Sequence, residues 1–411
     1  MIGQSIISQI TRNLPGKDLF VKIFAGITAL VVISSGLIYF LTKHDPEILS
    51  DQAMLGEKSI IKNEIEGSGP IDEQAGEAFL HLGNIYYQQQ KFSEAIKYLI
   101  KAKSYIEQLP KEEGIKEKMK LADACLKTDL YSDAQYLCDE ILEKFPENAD
   151  AWAFKGKAIF ESSQEINNHV VEELIQTYKK SLSIDAHNVW ALIYLAELHC
   201  RTGNLVQAEK LIQQALKDHP EHDYAQYVFG NILFEKKETD KSIDAFQEAI
   251  RQNPFFSLPR AKLGMVYYYL GNYKAAQEQY ETVLEINPAD YNTHFNLGVL
   301  FQQVGQLKEA AAQFIETIQL YPQHHKAYYE LGTIYQGNNQ FNEAIEAYQK
   351  SLAVKSDQVQ ILLALGTVYL MKNLIDEAKN YFVKVLELEP DNKIALQQIE
   401  LIQSRKSTRI F

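Results

Sequence analysis

A 34-residue periodicity runs through most of this chain. Between Ala196 and Gly366 a small residue is followed three positions later by a bulkier one, and each step between units is 34 residues. A second small residue lies twelve positions after the first, and an apolar or aromatic residue lies four positions after the second. Gly298, Ala310 and Phe314 are an example. The pairs are Gly83/Tyr86, Ala122/Cys125, Gly156/Ile159, Ala196/His199, Gly230/Leu233, Gly264/Tyr267, Gly298/Phe301, Gly332/Tyr335 and Gly366/Tyr369. Such a period indicates supersecondary units stacked in series.

Each half of a unit reads as an amphipathic helix, because apolar residues recur at i, i+3, i+4 and i+7. Small residues suit the point where two helix axes approach, and bulky residues fill the hole opposite. Gly203, Gly271 and Gly305 fall between the halves, where a helix end favours the left-handed conformation. Prolines such as Pro254 and Pro288 close many units and let the next helix begin.

The small–x2–Tyr, Ala–x3–Phe and terminal Pro pattern resembles the tetratricopeptide repeat (TPR). The resemblance implies an all-α, right-handed superhelical solenoid of about nine helix pairs over residues 76–392. The units are 76–109, 115–148, 149–188, 189–222, 223–256, 257–290, 291–324, 325–358 and 359–392. The large residue near the start of several units is replaced, by Lys118, Gln226 and Arg260.

The third unit and the end of the chain depart from the regular repeat. About six extra residues near 161–170 are expected to lengthen the turn within the third unit, for no purpose that the sequence reveals. Residues 393–411 read as a capping helix with a polar outer face, followed by a basic tail.

Before the repeats, Ile23–Leu41 runs for 19 positions without a charge. A helix of that length covers roughly 28 Å, close to the hydrocarbon thickness of a bilayer. The sequence therefore predicts a leader (1–22), a transmembrane helix (23–41) and an acidic flexible spacer (42–75). A cleaved secretory signal and a buried core helix are the alternative interpretations.

The Lys and Arg residues beside this span predict its orientation. Arg12, Lys17 and Lys22 precede it, against Lys43 and Lys58 after it. This bias of three against two favours a single-pass protein with a cytoplasmic N-terminus and the repeats on the opposite side.

Composition and motifs exclude several function classes. The net charge of −13 argues against nucleic acid as a partner. No pattern of catalytic, cofactor-binding or metal-binding residues occurs; His219 and His222 have metal-like spacing, but they fall at a turn between units. Cys125 and Cys138 occupy facing positions within one unit, and are either buried thiols or a pair that could bridge in an oxidising compartment.

In TPR proteins the first helices of successive pairs line a concave groove for peptides or helices. The resemblance therefore implies a partner-binding groove across the central units. Its candidate residues are Tyr224, Tyr227, Asn231, Phe234, Tyr268, Tyr269, Phe295, Gln302, Gln303 and Tyr329. The surplus of aromatic residues suits a recognition surface. Alternatively, these tyrosines pack between neighbouring pairs.

The predicted function is a membrane-anchored scaffold that binds other proteins, in the assembly or transport of a membrane-associated complex. The alternative is a regulatory or adaptor subunit that recruits a membrane enzyme such as a glycosyltransferase or protease. An enzyme in its own right is not expected.

Overall fold

The computed structural model describes residues 73–89, 91–163, 165–356 and 358–408, all of whose regular elements are α-helices. The helices are α1 (Glu73–Gln88), α2 (Phe92–Lys101), α3 (Lys103–Ile106), α4 (Lys111–Lys127), α5 (Tyr131–Lys144), α6 (Ala149–Ser162), α7 (Asn168–Ile184), α8 (Val189–Arg201), α9 (Leu205–Asp218), α10 (Asp223–Glu235), α11 (Thr239–Gln252), α12 (Ser257–Tyr269), α13 (Tyr273–Ile286), α14 (Tyr291–Gln303), α15 (Leu307–Leu320), α16 (His325–Gly337), α17 (Phe341–Val354), α18 (Val359–Met371), α19 (Ile375–Leu388) and α20 (Lys393–Thr408). The predicted leader, transmembrane helix and spacer up to residue 72 lie outside these residues. Among the helices that are described, none is both long and apolar enough to span a bilayer.

The helices form nine successive antiparallel pairs, which confirms the predicted solenoid of helix pairs. We number the pairs as repeats 1 to 9 and call the first helix of each its A helix and the second its B helix. The short α3 follows the pair α1–α2 in repeat 1, and α20 follows repeat 9. Each helix packs most closely on its partner in the pair and on the adjoining repeat. The core is therefore a continuous seam rather than a central globule.

The small residues of the repeat lie where A and B helices cross. In repeats 3 and 5 to 9 a methyl group added to the A-helix glycine would lie between 2.5 and 2.7 Å from a ring carbon of a B-helix aromatic residue. Gly298, for example, faces the fully buried ring of Phe314. Only a hydrogen in place of a side chain lets the two helices approach this closely. The predicted pairing of small and bulky residues is confirmed.

The turns between A and B helices use the left-handed backbone conformation. Gly203, Gly271 and Gly305 have φ of +80°, +74° and +81°. Lys237 and Asn339, at the same repeat position, also have positive φ. The predicted role of the glycines is confirmed, and the fold imposes the same turn where glycine is absent.

Two of the three residues that replace the large aromatic residue near the start of a repeat keep one of its hydrogen bonds, whereas Lys118 pairs with Glu140 instead. Trp152 donates its indole N–H to the carbonyl of Pro146 at 2.9 Å. Gln226 and Arg260 donate side-chain N–H groups to the prolines six positions before them, at 3.1 and 3.2 Å. In these repeats a side-chain N–H donor links the A helix to the preceding turn, and an amide or guanidinium can replace indole.

The insertion in repeat 3 is only partly accommodated as predicted. The connection 163–167 is slightly longer than its counterpart 202–204, as expected. Helix α7, however, has 17 residues against 14 in α9, so part of the insertion adds about one turn to the B helix. Asn167 caps this longer helix by accepting a hydrogen bond from the amide N–H of Val170 at 3.0 Å. The turn is longer, as expected, and the added residues also continue a helix, which was not predicted from the sequence.

The terminal helix α20 closes the seam. Ala395 and Ile402 are buried against Phe382 and Val385 of α19. Its outer face is not wholly polar, since Ile394 is 55% exposed.

Candidate functional site

We call the side of the array that the A helices form the inner face. Adjacent A helices contact each other directly in several places, whereas no B helices of the described repeats are in comparable contact. The A-helix side of the array is therefore the more closely packed side, on which side chains from neighbouring repeats meet. Such an arrangement can hold a partner across several repeats at once.

In repeats 3 to 5 the inner face contains a buried ion pair that joins three A helices. The ammonium of Lys157 (α6) lies 2.7 Å from a carboxylate oxygen of Glu197 (α8). The hydroxyl of Tyr224 (α10) donates to the same oxygen at 3.0 Å. Lys157 is 8% exposed and Glu197 is 9% exposed.

Two more charged groups complete this cluster. Glu161 lies 2.7 Å from the Lys157 ammonium, and Arg201 lies 3.4 Å from Glu197 with its guanidinium over the ring of Phe160. Burial alone would raise the pKa of Glu197, but Lys157 and Arg201 more than offset it and hold the pKa below its ordinary value. Burial would likewise lower the pKa of Lys157, and the two carboxylates instead raise it. Both groups are therefore charged at neutral pH, and the cluster is internally neutral.

This cluster was not predicted from the sequence, and of its residues only Tyr224 was named, as part of the groove. A signal was present: Lys157 follows Gly156 directly, and Glu197 follows Ala196 directly. The two side chains therefore occupy the same repeat position in adjacent repeats with opposite charges. Stacking of repeats brings such positions together.

The ten predicted groove residues divide into two groups. Tyr224, Tyr227, Phe295 and Tyr329 mainly pack. Tyr227 is only 8% exposed and its ring lies 5.6 Å from that of Phe256. Phe295 lies 4.6 Å from the His324 ring, and Tyr329 lies 5.9 Å from Tyr348. For these four the alternative interpretation, packing within and between repeats, describes their surroundings.

Tyr224, Phe295 and Tyr329 are half-buried rather than fully buried, and the remaining six residues are half-buried or exposed. These six are Asn231, Phe234, Tyr268, Tyr269, Gln302 and Gln303, and we call them the aromatic–amide patch. The ring of Phe234 stacks on Tyr269 at 6.2 Å, across the boundary between repeats 5 and 6. Tyr269 is 69% exposed. Gln302 donates to the Glu330 carboxylate at 3.1 Å. The structure thus brings together stacked rings and amide groups on adjacent A helices.

A concavity on the inner face lies nearer the N-terminus than the aromatic–amide patch and was not predicted. It has a volume of about 430 Å³ and is formed by A helices of repeats 1 to 4. Its lining includes Tyr87, Met119, Asp123, Phe154 and Trp190. The Tyr87 hydroxyl donates to Asp123, which also pairs with Lys127 at 2.7 Å.

Histidines cap two of the A helices. The Nδ1 atoms of His222 and His324 accept hydrogen bonds from the amide N–H groups of Ala225 and Ala327, at 3.3 and 3.1 Å. Asn148 and Asn188 occupy the equivalent position in other repeats with the same bond. The role of His222 in the structure is thus that of a helix cap.

These caps predict a pH-dependent stability. An Nδ1 atom that accepts a hydrogen bond cannot carry a proton, and burial lowers the pKa of both His222 and His324. Each cap should therefore contribute its full stabilisation above the pKa of histidine in the unfolded chain, about 6.5. This contribution should be lost as the pH falls below that value towards the lower pKa of the folded state. From pH 7.5 to 5.5 we expect a loss of about 1 kcal/mol per cap in urea unfolding. A variant with His222→Asn and His324→Asn should lose most of this pH dependence; an identical slope would contradict the assignment.

The two cysteines of repeat 2 are free and buried. Burial is the main cause that raises the pKa of both the Cys125 and the Cys138 thiol. Of the two interpretations left open, the structure has buried thiols.

Comparisons with known proteins agree with this geometry. Models of the TPR repeat match residues 264–305, and models of the tetratricopeptide repeat match 76–108, 175–232, 224–256, 325–358 and 359–392. Together the matched ranges cover more than half of the chain.

Similar proteins share the fold over much of the chain. Superkiller complex protein 3 of Mus musculus is 22% identical over 219 residues, which are 49% of this chain and 13% of that protein. The chain therefore matches only a small part of that relative's length. The crystal structure of the APC/C hetero-tetramer Cut9-Hcn1 has a TM-score of 0.56 at 17% identity, over 78% of this chain and 64% of that one. The human IFIT1 dimer with PPP-AAAA has a TM-score of 0.52 at 18% identity, over 76% and 82%. At such identities these structures show a shared fold alone. With the matched repeats and nine helix pairs, they identify the chain as a member of the tetratricopeptide-repeat family.

Proposed function

We propose that this protein is an interaction scaffold that binds extended segments of other proteins on the inner face of repeats 5 to 8. The observation that carries the proposal is the aromatic–amide patch. Stacked Phe234 and Tyr269 offer apolar area at low entropic cost, while Gln302 and Gln303 can bond to a peptide backbone. The charged cluster of repeats 3 to 5 is already internally paired, and so offers less to a ligand.

The test compares two exposed aromatic residues. Tyr269→Ala removes a ring that is 69% exposed on the inner face, and Phe255→Ala removes one that is 66% exposed at a turn between repeats. Partners are captured by crosslinking in native membranes and identified by mass spectrometry. Tyr269→Ala should reduce capture of the main partner about tenfold or more, and Phe255→Ala should leave it unchanged. Equal effects of the two substitutions on capture would show that the inner face is not the binding surface.

We also propose that residues 23–41 anchor the scaffold in a membrane, with the N-terminus in the cytoplasm and the repeats on the opposite side. The uncharged run and its flanking basic residues support this. Alkaline carbonate should leave the full chain in the membrane fraction and release a variant lacking 23–41. Protease added to sealed vesicles reports the side of the repeats. Release of the full chain would contradict the anchor.

A further inference from the structure

Two ionisable side chains on the inner face lack ion-pair partners. Lys262 (α12) and Glu330 (α16) occupy the same position in repeats 6 and 8. In repeats 3, 4 and 5 that position holds the buried residues Phe154, Tyr194 and Val228. Lys262 therefore stands at a position that the three preceding repeats fill with a buried apolar residue, and Glu330 places a second charged group there two repeats later.

Neither charge forms a direct ion pair with the described part of the chain. No carboxylate of the described residues lies within 4.0 Å of the Lys262 ammonium, and no cation lies that close to the Glu330 carboxylate. Burial and the nearby Arg201 lower the pKa of Lys262, and Glu235 and Glu197 offset this only in part. Burial raises the pKa of Glu330, although Gln302 donates a hydrogen bond to it. A partly buried charge without a direct ion-pair partner destabilises the fold by itself, and an oppositely charged residue of a bound partner would offset that cost.

The surface between the two residues is almost free of charge. The A helix of repeat 7, α14, contains no Asp, Glu, Lys or Arg, and Asn296 stands at the position equivalent to Lys262 and Glu330. In α16 the other charged residue, Lys326, is exposed near the start of the helix. Along repeats 6 to 8 this position therefore reads cation, amide, anion.

On the basis of the proposed function, we propose that the inner face of repeats 6 to 8 selects extended peptide segments with an acidic residue opposite Lys262 and a basic residue opposite Glu330. Neighbouring A helices lie about 10 Å apart, so two repeats span about 20 Å. An extended chain advances about 3.3 Å per residue. The two charged residues of the partner are therefore separated by about six positions. The residues between them are uncharged and contact Asn296, Gln302 and Gln303.

The test uses acetylated, amidated synthetic peptides of twelve residues and the purified full chain. Each peptide carries two charged residues, three to nine positions apart in either order, on an uncharged background. The sets are acidic–basic, basic–basic and acidic–acidic. Blocked termini ensure that only side-chain charges are compared. Binding is measured by fluorescence anisotropy.

The wild-type chain should prefer one order of the acidic–basic set at a separation near six, by at least about tenfold over the like-charged sets. Lys262→Glu should shift the preference to basic–basic peptides, and Glu330→Lys to acidic–acidic ones. The Lys262→Gln variant should bind the peptide sets with similar affinities, without a preference for basic–basic peptides. Lys274→Glu and Glu285→Lys, exposed on the B helix α13, should change nothing.

The outcomes separate this inference from the proposed function. One outcome is that peptides bind with affinities that Tyr269→Ala lowers but that depend neither on the peptide charges nor on the charge-reversal substitutions. That result overturns the charge selection and leaves the scaffold function standing. If the preferred separation differs greatly from six, the alignment along repeats 6 to 8 is overturned. If no peptide binds on the inner face, both proposals fail. Thermal unfolding of each variant establishes that it is folded.

Discussion

Replacing Glu197 with alanine should lower the free energy of unfolding by about 3 kcal/mol or more. The substitution leaves the Lys157 ammonium buried with only Glu161 and the Tyr224 hydroxyl nearby. Removal of one partner of a buried pair typically costs about 3–5 kcal/mol, because the remaining charge cannot be solvated. Urea unfolding followed by circular dichroism measures the change. Hydrogen exchange of α6 and α8 supplies a local readout, since repeat arrays need not unfold in one step.

Two controls separate burial from charge pairing. The double variant Lys157→Met with Glu197→Leu should recover most of the loss, because apolar residues of similar volume often replace a buried pair without cost. Lys350→Ala removes a partner of the exposed pair with Glu346 and should change stability by less than about 1 kcal/mol. Equal effects of Glu197→Ala and Lys350→Ala would show that the cluster is not the buried joint described above.

The ion pair also has a defined pH dependence. Glu197 has a folded pKa below its unfolded value of about 4.3. Its stabilising contribution is therefore complete above that value and is lost as the pH falls through the folded pKa. This window is more acidic than that of the histidine caps, so the two effects can be resolved in one titration.

Gly298→Leu should destabilise the solenoid by about 1–3 kcal/mol. Even a methyl group at this position would lie 2.7 Å from a ring carbon of Phe314, which is fully buried and cannot move away without displacing the seam. Overpacking of this kind forces strained rotamers or a shift of the helices. Urea unfolding measures the loss.

Gly337→Ala is the matched control for this prediction. Gly337 is the last residue of the A helix α16, and a methyl group there would meet no heavy atom within 4 Å. Because alanine favours helix over glycine by up to about 1 kcal/mol, this variant should be neutral or slightly more stable. An unchanged unfolding curve for Gly298→Leu would mean that the helix crossing is assigned to the wrong residue.

The candidate site was less predictable than the helices that carry it. Tyr227 and Tyr269 are both aromatic residues on A helices, and the repeat pattern placed both in the groove. Tyr227 is buried against its neighbours, whereas Tyr269 is exposed. The difference depends on the side chains that adjoining repeats supply, such as Phe256 beside Tyr227. A single repeat does not contain that information.

The nine helix pairs, their close crossings and the left-handed turns that contain glycine could be read from the order of residues. These features rest on contacts at short, regular separations, such as Gly298 with Phe314, so each recurs as a visible period. Which inner-face residues are exposed to solvent, and which charged residues form ion pairs, depends on how the repeats pack together. Lys157 and Glu197 are 40 residues apart, and nothing local distinguishes them from solvated residues. The physical reason is that the next repeat in the stack buries these positions. Its side chains exclude water, and they determine whether a charge there has an ion-pair partner.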